Sequence, residues 1–309
     1  MPSNDHYIPQ FYLKNFSIKN RYEFVYAYKR NELPFAVRVS NVAAIKDFYT
    51  VTDPITGESS REVESLLSMI EGKAAPILRR IGFDANVHLT PEEAWYLLSF
   101  IAFLITRTPW FHKRTASFLR GERNAILEYM ERNKNEFAEM LQRGGSEDKV
   151  RQVLKKPEAR YNSSVNPTET QLILLALQTT PYIAKMLAKR HWHLLESNSS
   201  RVFVTSDNPI SVFTDKYPTG HAIGLLNANI ALPVSPTRCL YINDEPAVGR
   251  IHLINRKQVN YVNWFTMFYA HRFIFSNLQS KDFQKDFGNT TEGAYDKVIT
   301  FGKNFERVD

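Results

Sequence analysis

The sequence predicts an α+β fold: a short β-rich amino-terminal segment, a helical middle, and a mixed sheet completed by carboxy-terminal strands. Three observations carry that prediction. Residues 6 to 51 interleave aromatic and β-branched residues with turn formers. Residues 59 to 106 and 168 to 189 read as helices rich in apolar residues, with a charged helical stretch between them, and period two returns from Trp192 onward. Strands, then helices, then strands is the pattern of an α+β domain. With 309 residues, 43% of them hydrophobic, the chain is long enough to close one large core, and a single domain over 1–309 is expected.

Taken in order, Tyr22 to Tyr28 alternates aromatics with other residues, Phe35 to Val39 is β-prone, and Asp47 to Val51 carries Phe48 and Tyr49. Ser59 with Glu62 reads as a capping box opening a helix. Val63, Leu66, Leu67, Ile70, Ala74, Ile77, Leu78 and Ile81 form its apolar stripe. Thr90-Pro91-Glu92-Glu93 is a second start signal, with Thr as cap, Pro at the first helical position and Glu at the third, for a helix to about Thr106. Residues 120 to 143 read as helix up to Gly144-Gly145, 148 to 155 as a short extra helix, and 157 to 167 as a linker or exposed loop. Thr168 to Lys189 is helical, with Pro181 a kink. Trp192 to Glu196 and Arg201 to Thr205, joined by Asn198-Ser199-Ser200, read as a hairpin. Strands at Ile230 to Pro233 and Arg238 to Ile242, a helix from Ile254 to Tyr269 and a last strand at Phe273 to Ser276 complete the reading.

The apolar run from Trp95 to Ile105 is about half of the ~20 residues a spanning helix needs, so a buried helix is expected there and no membrane partner. The first residues show no basic region followed by an apolar stretch. Cys239 stands alone. Both point to a reducing cytoplasm. The net charge of +7 is uneven: from Arg107 to Arg160 thirteen Lys and Arg stand against eight Asp and Glu. A helical basic subregion at about 107–160 is therefore expected, able to attract a polyanion or simply to form a solvated helix face.

Several groups could carry chemistry. The opening stretch His6-Tyr7-Ile8-Pro9-Gln10-Phe11-Tyr12-Leu13-Lys14-Asn15-Phe16 is too rich in aromatics to fray, and it docks with Ile8, Phe11, Leu13 and Phe16 inward and His6 and Gln10 toward something polar. Ser206-Asp207-Asn208-Pro209 follows an apolar run, which puts Asp207 at the mouth of a sheet, as a site residue or as a plain Asx turn. Glu64 and Glu71, seven apart, project within ~20° of one another and ~10 Å apart along their helix, too far to share a proton. Arg107 ends an apolar run, where it could cap carbonyls or reach into a polar pocket. Trp110, Phe111, Tyr12 and Tyr49 could stack on a base, or be core. His191 and His193 lack a third ligand at a standard spacing, and there is no Gly-rich phosphate loop, so no metal or cofactor is expected.

The opening motif, Ser206-Asp207-Asn208-Pro209, the later Leu232-Pro233-Val234-Ser235-Pro236 and the Glu64/Glu71 spacing together resemble the bacterial family called domain of unknown function 4238. That family is similar to a phage-defence DNA glycosylase that excises glucosylated hydroxymethylcytosine from viral DNA. The resemblance implies cleavage of an N-glycosidic bond in a flipped nucleotide, leaving an abasic site, with DNA as partner. Asp207 or Glu64 would stabilise positive charge on the deoxyribose and direct water. Asn208, Gln10 and His6 would read or protonate the departing base, Tyr12, Tyr49 and Trp110 would hold it, and Arg107 would hold a phosphate or orient Glu71. Two alternatives stand beside it: a nuclease with Mg²⁺ on Asp207, Glu64 and Glu71, and a non-catalytic nucleic-acid or protein sensor.

Overall fold

A computed structural model describes residues 4–53, 55–119, 167–213, 228–246 and 251–290. The helices expected at 120–143 and 148–155, almost all of the loop at 157–167 and most of the basic subregion lie outside the described residues. The fold is mixed α and β, with a helical middle between amino-terminal and carboxy-terminal strands.

The chain opens with β1 (Asn4–His6), a short helix α1 (Gln10–Lys14), β2 (Phe24–Tyr28), β3 (Phe35–Arg38), β4 (Ala44–Lys46), β5 (Val51–Thr52) and β6 (Ser59–Ser60). Helices α2 (Glu62–Phe83), α3 (Pro91–Thr106) and α4, which runs over 109–119, follow, with α5 (Glu169–Leu187) after them. Then come β7 (His191–Ser197), β8 (Thr205–Ser206), β9 (Ser211–Phe213), β10 (Asn229–Pro233), β11 (Arg238–Asn243), β12 (Ile251–Ile254), α6 (Arg256–Tyr269), β13 (Ile274–Ser276) and α7 (Lys281–Asn289).

Two main sheets result. One runs β12-β7-β11-β10-β9, antiparallel except for the parallel β12/β7 pair; the other runs β3-β2-β13-β8, antiparallel throughout. Small ribbons β1/β4 and β5/β6 flank them. The second sheet joins strands from the two ends of the sequence, which locks the amino-terminal segment to the carboxy-terminal half. No described helix is long and apolar enough to cross a membrane.

Four expectations are corrected. Gln10–Lys14 is helix, because Tyr12 and Leu13 turn inward together against the core. Ser59 does not cap α2: it lies in the β5/β6 ribbon, and Arg61 precedes the helix with no capping side-chain bond. Leu66, placed on the α2 stripe, faces outward, while its other seven stripe positions are buried. The hairpin at 192–205 does not form; β7 pairs with β11 and β12, and β8 joins the other sheet through β13. In contrast, Thr90 caps α3 with a reciprocal box to Glu93, and α3 ends at Thr106.

Helix α2 is held at its end by a long-range contact. Arg238 donates from Nη1 to the carbonyls of Ile81 (3.2 Å) and Asp84 (2.5 Å), satisfying oxygens that a helix terminus leaves open. There a Cβ on Gly82 would stand 3.3 Å from the Val234 carbonyl oxygen, so glycine allows the close approach. Tyr12 ties the same region together. Its fully buried hydroxyl donates to the Pro233 carbonyl (2.6 Å) and pairs with Thr205 Oγ1 (2.7 Å). Tyr12→Phe is expected to lower unfolding free energy by about 1–3 kcal/mol in urea titration, since it leaves buried acceptors without their donor; an unchanged midpoint would show that these bonds contribute nothing net.

Candidate functional site

The three motifs of the sequence meet in space, but their contacts are those of a scaffold. Tyr7 and Ile8 donate their backbone N–H groups to the carbonyl of Ala43, which sits at φ +53°. A non-glycine residue there is strained, and the docked amino-terminal segment holds it. Asn15 donates to the carbonyl of Val234 (3.0 Å), within the Pro233-Val234-Ser235-Pro236 stretch. Tyr12 is 0% exposed and joins that stretch to Thr205, so no face of its ring is open to a base. Its expected stacking role is corrected to a structural one.

Asp207 follows β8 as anticipated, yet it is only 1% exposed. Its Oδ1 accepts from the backbone N–H of His271 (2.8 Å), and its Oδ2 from those of Arg272 (2.8 Å) and Phe273 (3.1 Å). The carboxylate thus pins the turn between α6 and β13. Burial pushes its pKa up to about 6, against the pull of those backbone donors. It is close enough to Tyr7 for its charge to help burial raise that phenol's pKa. Asn208 is equally buried; its Nδ2 donates to the Tyr269 carbonyl (2.9 Å), and its Oδ1 has no partner among the described residues.

A second group of charges lies along α2. Glu64 and Glu71 are 42% and 26% exposed, the partial solvation expected at the edge of an apolar stripe. Glu64 pairs with Arg61, which also donates to Asp5 Oδ1 (2.9 Å). Asp5 Oδ2 accepts from the backbone N–H of Tyr49 (3.0 Å), and the Tyr49 hydroxyl lies 3.5 Å from the carbonyl of His6. Burial raises the Tyr49 pKa, the Arg107 charge opposes that, and the Glu71 and Asp5 charges add to it. Arg107 is 3% exposed; its Nη1 holds Glu71 (2.5 Å), while Nε and Nη2 have no partner among the described residues. Six charged or phenolic groups, Asp5, Arg61, Glu64, Glu71, Arg107 and Tyr49, therefore form one connected seam.

The seam reaches a cleft through His112. A small cavity is lined by Tyr49, Arg107 and His112 with apolar side chains of α2, α3 and α5. His112 also lines an open cleft of about 540 Å³ between β4, α4 and the start of α5, with Phe48, Lys46 and Lys113. That volume is in the range of small-molecule sites. The imidazole stacks on Phe48 (centroids 5.1 Å apart, 26° between planes), and its Nδ1 is 3.4 Å from Glu169. Burial lowers its pKa and Glu169 opposes this. Among the described residues no group of three or more His, Cys, Asp or Glu is placed to hold a metal.

Comparison with known families then adds one finding: the profile of "Protein of unknown function (DUF4238)" matches residues 4–280. The chain belongs to the DUF4238 family. No curated protein and no solved structure matches it.

In this DUF4238 chain the expected site residues divide between the two groups. Glu64, Glu71, Arg107 and Tyr49 lie in the seam. Asp207 and Asn208 lie in the buried turn support. His6 is half-buried with Nε2 3.2 Å from the Ser40 carbonyl, and Gln10 is half-buried as the first residue of α1. Trp110 is half-buried, edge-on to Tyr269 (6.0 Å) with Arg114 over its ring (5.6 Å). Asp5, Arg61 and His112 of the DUF4238 chain were not singled out by the sequence. Asp5 beside the opening motif was the one available signal, whereas His112 follows Trp110-Phe111 and reads as part of an apolar face.

Proposed function

We propose that this chain is a DNA glycosylase that cleaves the N-glycosidic bond of a modified cytosine, with the α2 carboxylates rather than Asp207 doing the chemistry. The observation that carries this reading is the Glu71–Arg107 pair: a half-buried carboxylate fixed by a buried guanidinium that keeps two further donors. As the C–N bond breaks, its electron pair leaves with the base and positive charge develops on the sugar. Glu71, negatively charged and held still, stabilises that charge and accepts a proton from the water that adds to C1′. The departing base takes a proton in return, which the neutral His112 imidazole, lining the cleft, can relay from water by giving up one N–H and taking a proton on its other nitrogen. The family resemblance supports the choice of base, a glucosylated hydroxymethylcytosine.

The test is incubation of purified protein with unmodified, hydroxymethylated and glucosylated DNA, followed by mass spectrometry of released base. Release from glucosylated DNA alone, with strand breaks appearing only after alkali, is the expected result. Strand cutting that needs no alkali and stops with EDTA would overturn the reading in favour of a nuclease, and binding without product in favour of a sensor.

A further inference from the structure

The turn that Asp207 supports follows Tyr269, whose ring meets Trp110 of α4 (6.0 Å), and α4 carries Lys113 into the cleft lining. His271 and Arg272 are exposed, and both are fixed by their backbone bonds to Asp207. Lys113 of α4, exposed on the cleft wall, acts on the His271 imidazole together with Arg272 and Arg30; burial and these three charges lower its pKa. Arg272 and Arg114 lie over the rings of Phe273 (5.3 Å) and Trp110 (5.6 Å), which limits their wandering. None of Lys113, Arg114 or Arg272 makes an ion pair among the described residues. The acids that line the cleft are Asp47 and Glu169, and Glu169 lies 3.4 Å from His112 Nδ1.

We infer that Lys113, Arg114 and Arg272, around the turn held by Asp207, form a track for the phosphates of a DNA strand whose extruded nucleotide enters the adjoining cleft. This rests on the function proposed above only for the choice of DNA as the polyanion. Cations that make no ion pair among the described residues repel one another, and a polyphosphate removes that repulsion while releasing its own counterions. A cleft of about 540 Å³ beside the track suits a nucleotide, and an anionic membrane surface would have no use for it. The reading also gives the buried carboxylate a purpose: it sets the position of Arg272 without touching the ligand.

The test measures binding of an unmodified fluorescent duplex over a salt series, for the full chain and for Lys113→Gln, Arg272→Gln and their double variant. Each single change is expected to weaken binding several-fold at low salt and to reduce the slope of log K against log salt by about 0.9. Lys257→Gln, at the far end of α6, is expected to leave both unchanged. Unaltered slopes in folded variants would overturn the track, as would binding to phosphatidylserine vesicles in preference to DNA. Failure of the wild type to release base, with the slopes changing as expected, would remove the glycosylase reading and leave the track standing.

Discussion

Asp207→Asn is expected to destabilise the folded chain by about 2–5 kcal/mol, the largest loss of any isosteric change considered. An amide keeps the shape but has one acceptor oxygen, and here both carboxylate oxygens accept from backbone N–H groups. Either orientation of the amide sets its own N–H₂ against at least one buried donor, and each lost partner costs ~1–3 kcal/mol. The pH dependence gives an independent check. A carboxyl whose pKa is about 6 in the folded state and near 3.8 when unfolded is protonated first in the folded state. Its contribution to stability is therefore greatest below about pH 4 and declines as pH rises through 6, by roughly 3 kcal/mol in all. Urea midpoints at pH 4 and pH 7 should show the gap between wild type and variant narrowing at the higher pH; a gap that stays constant would mean the carboxyl does not titrate in that window. Lost activity in this variant must be judged per folded molecule.

Glu71 is expected to separate stability from chemistry. Glu71→Ala leaves the Arg107 guanidinium, 3% exposed, without its carboxylate and should cost about 3–5 kcal/mol. Glu71→Gln keeps an oxygen for Nη1 and removes only the charge, so it should fold with a near-normal midpoint while base release falls ~10²–10³-fold. Glu64→Gln, at a more exposed pair whose Arg61 also holds Asp5, should change stability by less than about 1 kcal/mol. Single-turnover base release with each folded variant is the measurement. Full activity of Glu71→Gln would rule this carboxylate out as the group that stabilises the sugar cation.

What was legible in the sequence follows from how local each cause is. Thr90-Pro91-Glu92-Glu93 carries its whole signal in four residues, and α3 starts where those residues say. The edge-of-stripe position of Glu64 and Glu71 was equally readable, because helical spacing alone sets it. The pairing of β8 was not: Thr205 and Ser206 take their partners from Phe275 and Ile274, about seventy residues on, whereas the neighbouring strand-like segment offered a plausible local hairpin. Asp207 was singled out for the right segment and given the wrong kind of partner, since backbone N–H groups at 271–273 have no side-chain signature. His112 carried no such signal, because its place in the cleft comes from three separate elements.

The Tyr12 hydroxyl reaches across 193 residues to Thr205 and 221 to Pro233. During synthesis the Tyr12 hydroxyl therefore lacks both partners until most of the molecule has left the ribosome. Such late closure makes for slow folding and a long interval open to aggregation. A fragment ending before position 205 would leave the Tyr12 hydroxyl with neither partner, so carboxy-terminal truncation should also loosen this protein at its opposite end.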